Sequence, residues 1–304
     1  MKTIPVFVVA LLLIGCDQAP PETADAPDPA PAKTGADRSP AVAEHDRLAT
    51  VLAAQPEDTR ARYVYRNPEA TLKFFGIEPG MTVVEALPGG AWYSRILLPY
   101  LGSEGRLIGA NYAGDMWPKF GFFEQDFIDS MATWTTDWPE QAAEWRGDDG
   151  ATVSAFTFGS LPARMENTAD AVLLIRAMHN LARFESDGGF LTAALQDVYR
   201  VLKPGGIVGV VQHEARPEMP DEWATGANGY LKKDFLVERM EAAGLEFVAD
   251  SDINANPADQ PTVDDAVWRL PPSFNGSQDD AAQRAAMEEI GESNRMTLKF
   301  RKPE

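Results

Sequence analysis

Between Val83 and Gly102 the chain reads VVEALPGGAWYSRILLPYLG. An unbroken apolar run gives way at Pro88, Gly89 and Gly90 to a stretch whose apolar residues recur at helical spacing. A buried strand that passes through a glycine turn into a helix is where many α/β proteins hold a cofactor. The glycines do not follow the usual dinucleotide-binding spacing, so the ligand of this turn has to be read from the rest of the chain.

The flanking segments repeat the same alternation. HDRLATVLAA puts Leu48, Val51 and Leu52 on one helical face, and NPEATLKFFG predicts a helix with Asn67 as N-cap, Pro68 at its first position and Gly76 as its terminator. A helix follows over about 92–101, then strands at GRLIGANY, ATVSAFTF and ADAVLLI. GGFLTAALQDVYRVL places Leu191, Leu195, Val198 and Leu202 on one helical face, and the KPGG turn leads into a fifth strand, IVGVVQHEA. A helix over 231–243, a strand LEFVADSDIN, a polar insertion and a last strand RMTLKFRKP complete the chain. Strands alternating with helices predict a parallel sheet covered on both faces, and the two final strands predict an antiparallel edge pair. Residues 44–304 are therefore expected to form a Rossmann-like three-layer α/β/α sandwich around a mostly parallel seven-stranded sheet with an antiparallel C-terminal strand.

Eight aromatic residues crowd residues 114–150, among them Trp117, Phe120, Phe123, Phe127, Trp138 and Trp145. They predict one or two helices whose rings either line a substrate pocket or form an ordinary helix-on-sheet core.

The N-terminus carries a separate signal. In MKTIPVFVVALLLIGC a single Lys precedes an apolar run too short for a stable membrane anchor. The run ends in Leu13-Ile14-Gly15-Cys16, which resembles a bacterial lipobox, and Cys16 is the only cysteine of the 304 residues. The resemblance implies a signal peptide over residues 1–15 and lipidation of Cys16. Asp17 implies retention at the periplasmic face of the inner membrane. Residues 16–43, rich in Pro, Ala and Asp and free of aromatics, read as an extended tether between this anchor and the folded body.

With 46 acidic against 27 basic side chains, the net charge is −19. Such a surface repels phosphate backbones, which argues against nucleic acid as partner.

DVYRVLKPGGIVGVV resembles the segment of class I S-adenosylmethionine-dependent methyltransferases in which a helix ends in a Leu-Lys-Pro-Gly-Gly turn before the fifth strand. Val83-Val84-Glu85 with its glycine turn is similar to the family's motif I, ADAVLLIRAMHNL to its fourth strand, and GYLKKDFLVERMEAAGLEFV to its last helix and sixth strand. FFGIEPGMTVVE, PGGAWYSRILLPYL and the His-Asn pair at 179–180 resemble a narrower group of predicted bacterial methyltransferases. The resemblance spans roughly residues 70–300. It implies that strand one lies beside strand four, with S-adenosylmethionine across the carboxyl ends of the strands. Glu85, Pro88, Gly89, Gly90 and Asn111 are then the cofactor-binding residues, Glu85 facing the ligand's ammonium group.

The family pattern is altered at several points. Of its three motif I glycines only Gly89 is kept; Leu87 and Ala91 stand at the other two positions. Asn111 replaces the acidic residue expected to grip the ribose hydroxyls, and it accepts fewer hydrogen bonds and carries no charge.

In the implied sheet His179 and His213 follow adjacent strands, which makes them candidate bases for methyl transfer, His179 first. Arg176, Asn180 and Trp117 are candidate substrate contacts. For Arg176 the alternative is a buried ion pair with Glu85 or Asp170, and for His179 a loop-capping role. The two histidines with Glu214 make a weak metal set without short ligand spacing, and no metal is expected.

The expected function is methyl transfer to a small or apolar molecule. The alternative is a non-catalytic binding lipoprotein on a degenerate methyltransferase fold, because an anchored body facing away from the cytosol needs cofactor delivered to it. The sequence carries no signature for the methyl acceptor or for an oligomeric state.

Overall fold

The computed structural model describes residues 40–304, with side chains from Arg47 onward. The expected signal peptide, the lipidated Cys16, most of the tether and the His45 side chain lie outside the described residues. Helix α1 (Pro40–Ala53) begins inside the segment expected to be tether. Among the described residues no helix is long and apolar enough to cross a membrane.

Seven strands form one sheet: β1 (Thr82–Ala86), β2 (Arg106–Asn111), β3 (Thr152–Thr157), β4 (Ala169–Ile175), β5 (Leu202–His213), β6 (Glu246–Ser251) and β7 (Arg295–Arg301). Their order is β3-β2-β1-β4-β5-β7-β6. β1 through β5 are mutually parallel, while β7 runs antiparallel between β5 and β6. The expected Rossmann-like sandwich, its strand one beside strand four, and the antiparallel edge pair are all present.

Both faces of the sheet are dry because alternate residues point to opposite layers. Val83, Leu107, Ala171, Leu173 and Val211 pack with Leu72 and Phe75 of α2 (Pro68–Phe75) and with Ile96, Leu97 and Leu98 of α3 (Ser94–Leu101). Val84, Ala86, Ile108, Ala110, Val172 and Leu174 face the opposite layer, against residues of helices that follow β4 and β5. Each fully buried Leu or Ile there contributes about 1.5–3 kcal/mol. At Gly209 a Cβ would sit 2.5 Å from the Phe75 ring, so this glycine lets α2 lie against β5. Arg47 ties α1 to α3 by donating to the Pro99 carbonyl at 2.7 and 3.1 Å.

The KPGG turn is a loop within β5, whose pairing with β4 slips between Ala169 and Ala171; Gly205 takes the left-handed φ of 75° that the turn requires. Gly76 ends α2 in the same conformation, as expected. Asn67 is itself left-handed and makes no side-chain cap; its amide donates instead to the Ile253 carbonyl at 2.8 Å. The helix expected over 231–243 begins at Lys233, because Leu231 bridges to Glu214 and Thr225.

Candidate functional site

The loop after β1 runs from Leu87 to Ala91 above the carboxyl end of the strand. Leu87, Gly89 and Ala91 have φ of 52°, 50° and 63°. The backbone thus keeps a left-handed residue at every second position, although only the middle one is glycine. For Leu and Ala that conformation costs on the order of 1–2 kcal/mol each. A Cβ at Gly90 would meet nothing within 4 Å, so the front of the loop is open to an approaching group.

A cavity of about 750 Å³ opens over the ends of β1, β2 and β4. Pro88, Gly89, Asn111, Trp117, Arg176 and Asn180 line it, six of the residues singled out from the sequence. Glu85 and Gly90 are not among its lining residues. The Glu85 carboxylate is buried at the foot of α3, where it accepts a hydrogen bond from Ser94 Oγ at 2.6 Å. Burial pushes its carboxyl up to about 7, against the opposing pull of the Ser94 bond.

Asn111 ends β2 with its Oδ1 accepting from the Tyr112 N–H at 2.8 Å, which leaves its amide hydrogens for a ligand. Asn180 donates to the Tyr112 hydroxyl at 3.0 Å, so the phenol keeps its own proton to donate.

The outer wall is aromatic. Trp117 lies edge-on to Tyr112, Phe123 and Phe127 at centroid distances of 5.2–5.3 Å, and Phe123 stacks on Phe127 at 4.6 Å. The aromatic segment divides between cavity wall and core. Trp117, Phe120, Phe122, Phe123, Phe127 and, in α4 (Trp134–Trp145), Trp134 wall the cavity, whereas Trp138 of the same helix is core and presses against β2 at Gly109.

His179 and His213 come together as expected, 5.5 Å apart between ring centroids, but in a neighbouring cavity of about 290 Å³. Arg176 and Trp268 line both cavities. Burial lowers the His179 imidazole to about 4 and holds His213 well below its usual range, so both rings are neutral at pH 7. His213 Nδ1 lies 2.6 Å from Ser293 Oγ, while His179 Nδ1 is buried without a hydrogen-bond partner among the described residues. Glu214 pairs with Asn294 at 3.1 Å, and among the described residues no His, Cys, Asp and Glu cluster is placed to hold a metal.

Arg176 sits at φ 57° just beyond β4. It pairs with neither Glu85 nor Asp170: Asp170 binds Lys203 and the Thr82 N–H, and Arg176 faces Glu292 at 3.7 Å. Glu292, Ser293, Trp268 and Asn275 belong to the polar insertion before β7, which nothing in its composition marked as part of a site. Only its Trp268, an indole in a polar run, was a visible signal.

No protein-family pattern matches the chain, and no curated protein matches it. Solved structures do. The [4+2]-cyclase SpnF is similar over 86% of this chain and 94% of its own, at 19% identity and a TM-score of 0.48. A putative methyltransferase of Haloferax volcanii, in complex with the Trm112 methyltransferase activator, is similar over 84% and 98%, at 17% identity and 0.49. Geranyl diphosphate C-methyltransferase of Streptomyces coelicolor, with S-adenosyl-L-homocysteine bound, covers 83% and 87%, at 15% identity and 0.47. Each likeness lies below 20% identity and a TM-score of 0.5, so the chemistry of this chain has to be argued from its own residues.

Proposed function

We propose that the chain is an S-adenosylmethionine-dependent methyltransferase acting on a small molecule. The observation that carries this reading is the 750 Å³ cavity at the junction of β1 and β4, bordered by a loop left-handed at Leu87, Gly89 and Ala91. That is the switch point at which open α/β sheets hold nucleotide-like ligands. S-adenosylmethionine, when bound, supplies an activated methyl group on a sulfonium.

The residues present fit such a ligand. Gly89, which lines the cavity, presents bare backbone to its amino-acid end. Asn111 and Tyr112 offer donors to ribose or base oxygens and nitrogens. The rings of Trp117, Phe123 and Phe127 exclude water and attract a cation through their π faces. No carboxylate lines the cavity, so an ammonium group would rely on backbone carbonyls. His179 and His213 line the adjoining cavity, and burial, which keeps them neutral, also makes them weak proton acceptors for an acceptor hydroxyl or amine. Most of the rate enhancement then comes from holding the acceptor in line with the methyl group.

Titration calorimetry of the full chain with S-adenosylmethionine and S-adenosylhomocysteine tests the reading. Binding of both, weakened about tenfold by Asn111→Ala or Trp117→Ala, is expected from the loss of a buried hydrogen bond or ring contact. No heat at millimolar ligand would end it.

The second reading, a non-catalytic binding protein, draws on the non-glycine residues at Leu87 and Ala91 and on the turn of Glu85 away from the cavity. It predicts that S-adenosylhomocysteine binds while S-adenosylmethionine is never consumed.

The proposed setting is a membrane surface on the periplasmic side, with the chain held through lipidated Cys16. Cys16→Ser should release it from membranes, and membrane attachment that persists in this variant would count against the anchor.

A further inference from the structure

Four guanidiniums surround one carboxylate beside the smaller cavity. Arg66 donates through Nε to Glu292 Oε1 and Oε2 at 3.1 and 3.3 Å, Arg62 through Nε at 2.9 Å, and Arg295 through Nη1 at 3.3 Å; Arg176 lies at 3.7 Å. Glu292, Arg66 and Arg295 are almost wholly buried. Burial works to raise the Glu292 carboxyl, but the four arginines outweigh it and hold it below its ordinary value. One carboxylate against four guanidiniums leaves three positive charges uncompensated, in a protein whose net charge is −19.

These arginines are not equally engaged. Arg295 is satisfied by Glu292 and by the Ser293 and Tyr65 carbonyls. The Nη atoms of Arg66 make no hydrogen bond among the described residues; its guanidinium stacks over the Trp92 ring at 4.6 Å. Among the described residues the Arg176 side chain has only its long contact with Glu292, and it is held by a left-handed backbone that a non-glycine residue adopts at a cost. Arg66 and Arg176 both line the 290 Å³ cavity, together with His179, His213, Ser273, Ser293 and Glu292 itself, whose single negative charge the arginines outnumber. An ion-pair cluster that served stability alone would approach neutrality, because uncompensated buried charge is destabilising.

We infer that this cavity binds the acidic group, carboxylate or phosphoryl, of the molecule that is methylated. Guanidinium forks and hydroxyl donors match the oxygens of such a group, and three surplus charges draw it in against the repulsion of the acidic surface. Arg176 and Trp268 form the shared wall, so a ligand anchored here extends its remaining part toward the larger cavity. The assignment of this ligand as methyl acceptor rests on the function proposed above; the anion site itself does not.

The test uses the full chain at constant ionic strength, titrated separately with inorganic phosphate and with acetate, and in parallel with S-adenosylhomocysteine. Saturable binding of at least one anion is expected, and the stronger of the two identifies the group as phosphoryl or carboxylate. Arg66→Gln should weaken that anion tenfold or more while leaving S-adenosylhomocysteine affinity within about twofold, since Arg66 lines only the smaller cavity. Ser293→Ala, which leaves all four arginines and Glu292 in place, should weaken it about threefold and serves if Arg66→Gln does not fold. Absence of saturable binding by either anion, or anion binding unchanged by whichever variants fold, overturns the inference even if S-adenosylhomocysteine binds. Anion binding lost in Arg66→Gln, with no S-adenosylhomocysteine binding in the parent, supports the anion site and overturns the methyltransferase reading alone.

Discussion

Ser94 Oγ donates to the Glu85 carboxylate at 2.6 Å, and both side chains are sealed from solvent where β1 meets α3. Burial places the Glu85 carboxyl at about 7, against an ordinary value of 4.5. Between those values the folded chain keeps a proton that the unfolded chain has lost, so this group makes stability fall as pH rises from about 4.5 to 7. The full penalty, on the order of 3 kcal/mol, stands above that window. Glu85→Gln keeps an acceptor for Ser94 and carries no charge. Urea melts should find the variant more stable than the parent at pH 8 and no more stable at pH 4.5. A stability difference independent of pH would refute this account.

The left-handed backbone at Ala91 gives a second expectation. An Ala→Gly change inside regular structure commonly costs about 0.5–1 kcal/mol. At φ 63° the Cβ is the source of strain, so Ala91→Gly should leave stability unchanged or raise it by about 1 kcal/mol. Chemical denaturation measures this directly; a loss above about 1 kcal/mol would show that the loop does not hold that conformation.

Gly109 of β2 packs against α4. A Cβ there would lie 2.6 Å from Trp138 Cζ3 and 3.0 Å from Trp134, so Gly109→Ala should cost about 1–3 kcal/mol through overpacking. Phe123→Ala, in the cavity wall, should instead weaken S-adenosylhomocysteine binding. Thermal melts and calorimetry of the two variants separate the roles, and equal loss of stability in both would contradict the division.

Glu292 holds four arginines drawn from the N-terminal segment, the end of β4 and β7. Glu292→Gln leaves those charges facing one another in a largely buried site and should cost about 3 kcal/mol or more. High salt should recover part of the loss through the half-exposed Arg62 and Arg176, as denaturation with and without added salt would reveal. A loss under about 1 kcal/mol would mean that the cluster carries no structural load.

Much of the fold was legible because periodicity and turn chemistry are local. Val83–Ala86 reads as a strand from its own residues and Gly76 as a helix stop, whereas KPGG, read as a turn before the fifth strand, falls within β5. The Asn67 cap was not legible for the converse reason: its amide is recruited by the Ile253 carbonyl, 186 positions away in the chain.

The candidate site divides in the same way. Pro88, Gly89, Asn111, Arg176 and Asn180 sit at the ends of β1, β2 and β4, and strand order alone brings such ends together. Glu85 reads as a ligand carboxylate, yet side-chain direction in β1 turns it beneath α3 to Ser94. Glu292 and Arg66, at opposite ends of the body's sequence, carry no local mark at all; β7 inserting between β5 and β6 brings Glu292 against Arg66 and Arg176. Alternating apolar residues and glycine turns thus determined the layers by themselves, and the resemblance to a known family supplied the switch point. The pairing of buried charges was decided only by the tertiary structure, because a carboxylate removed from water takes whichever cations the packed chain presents to it.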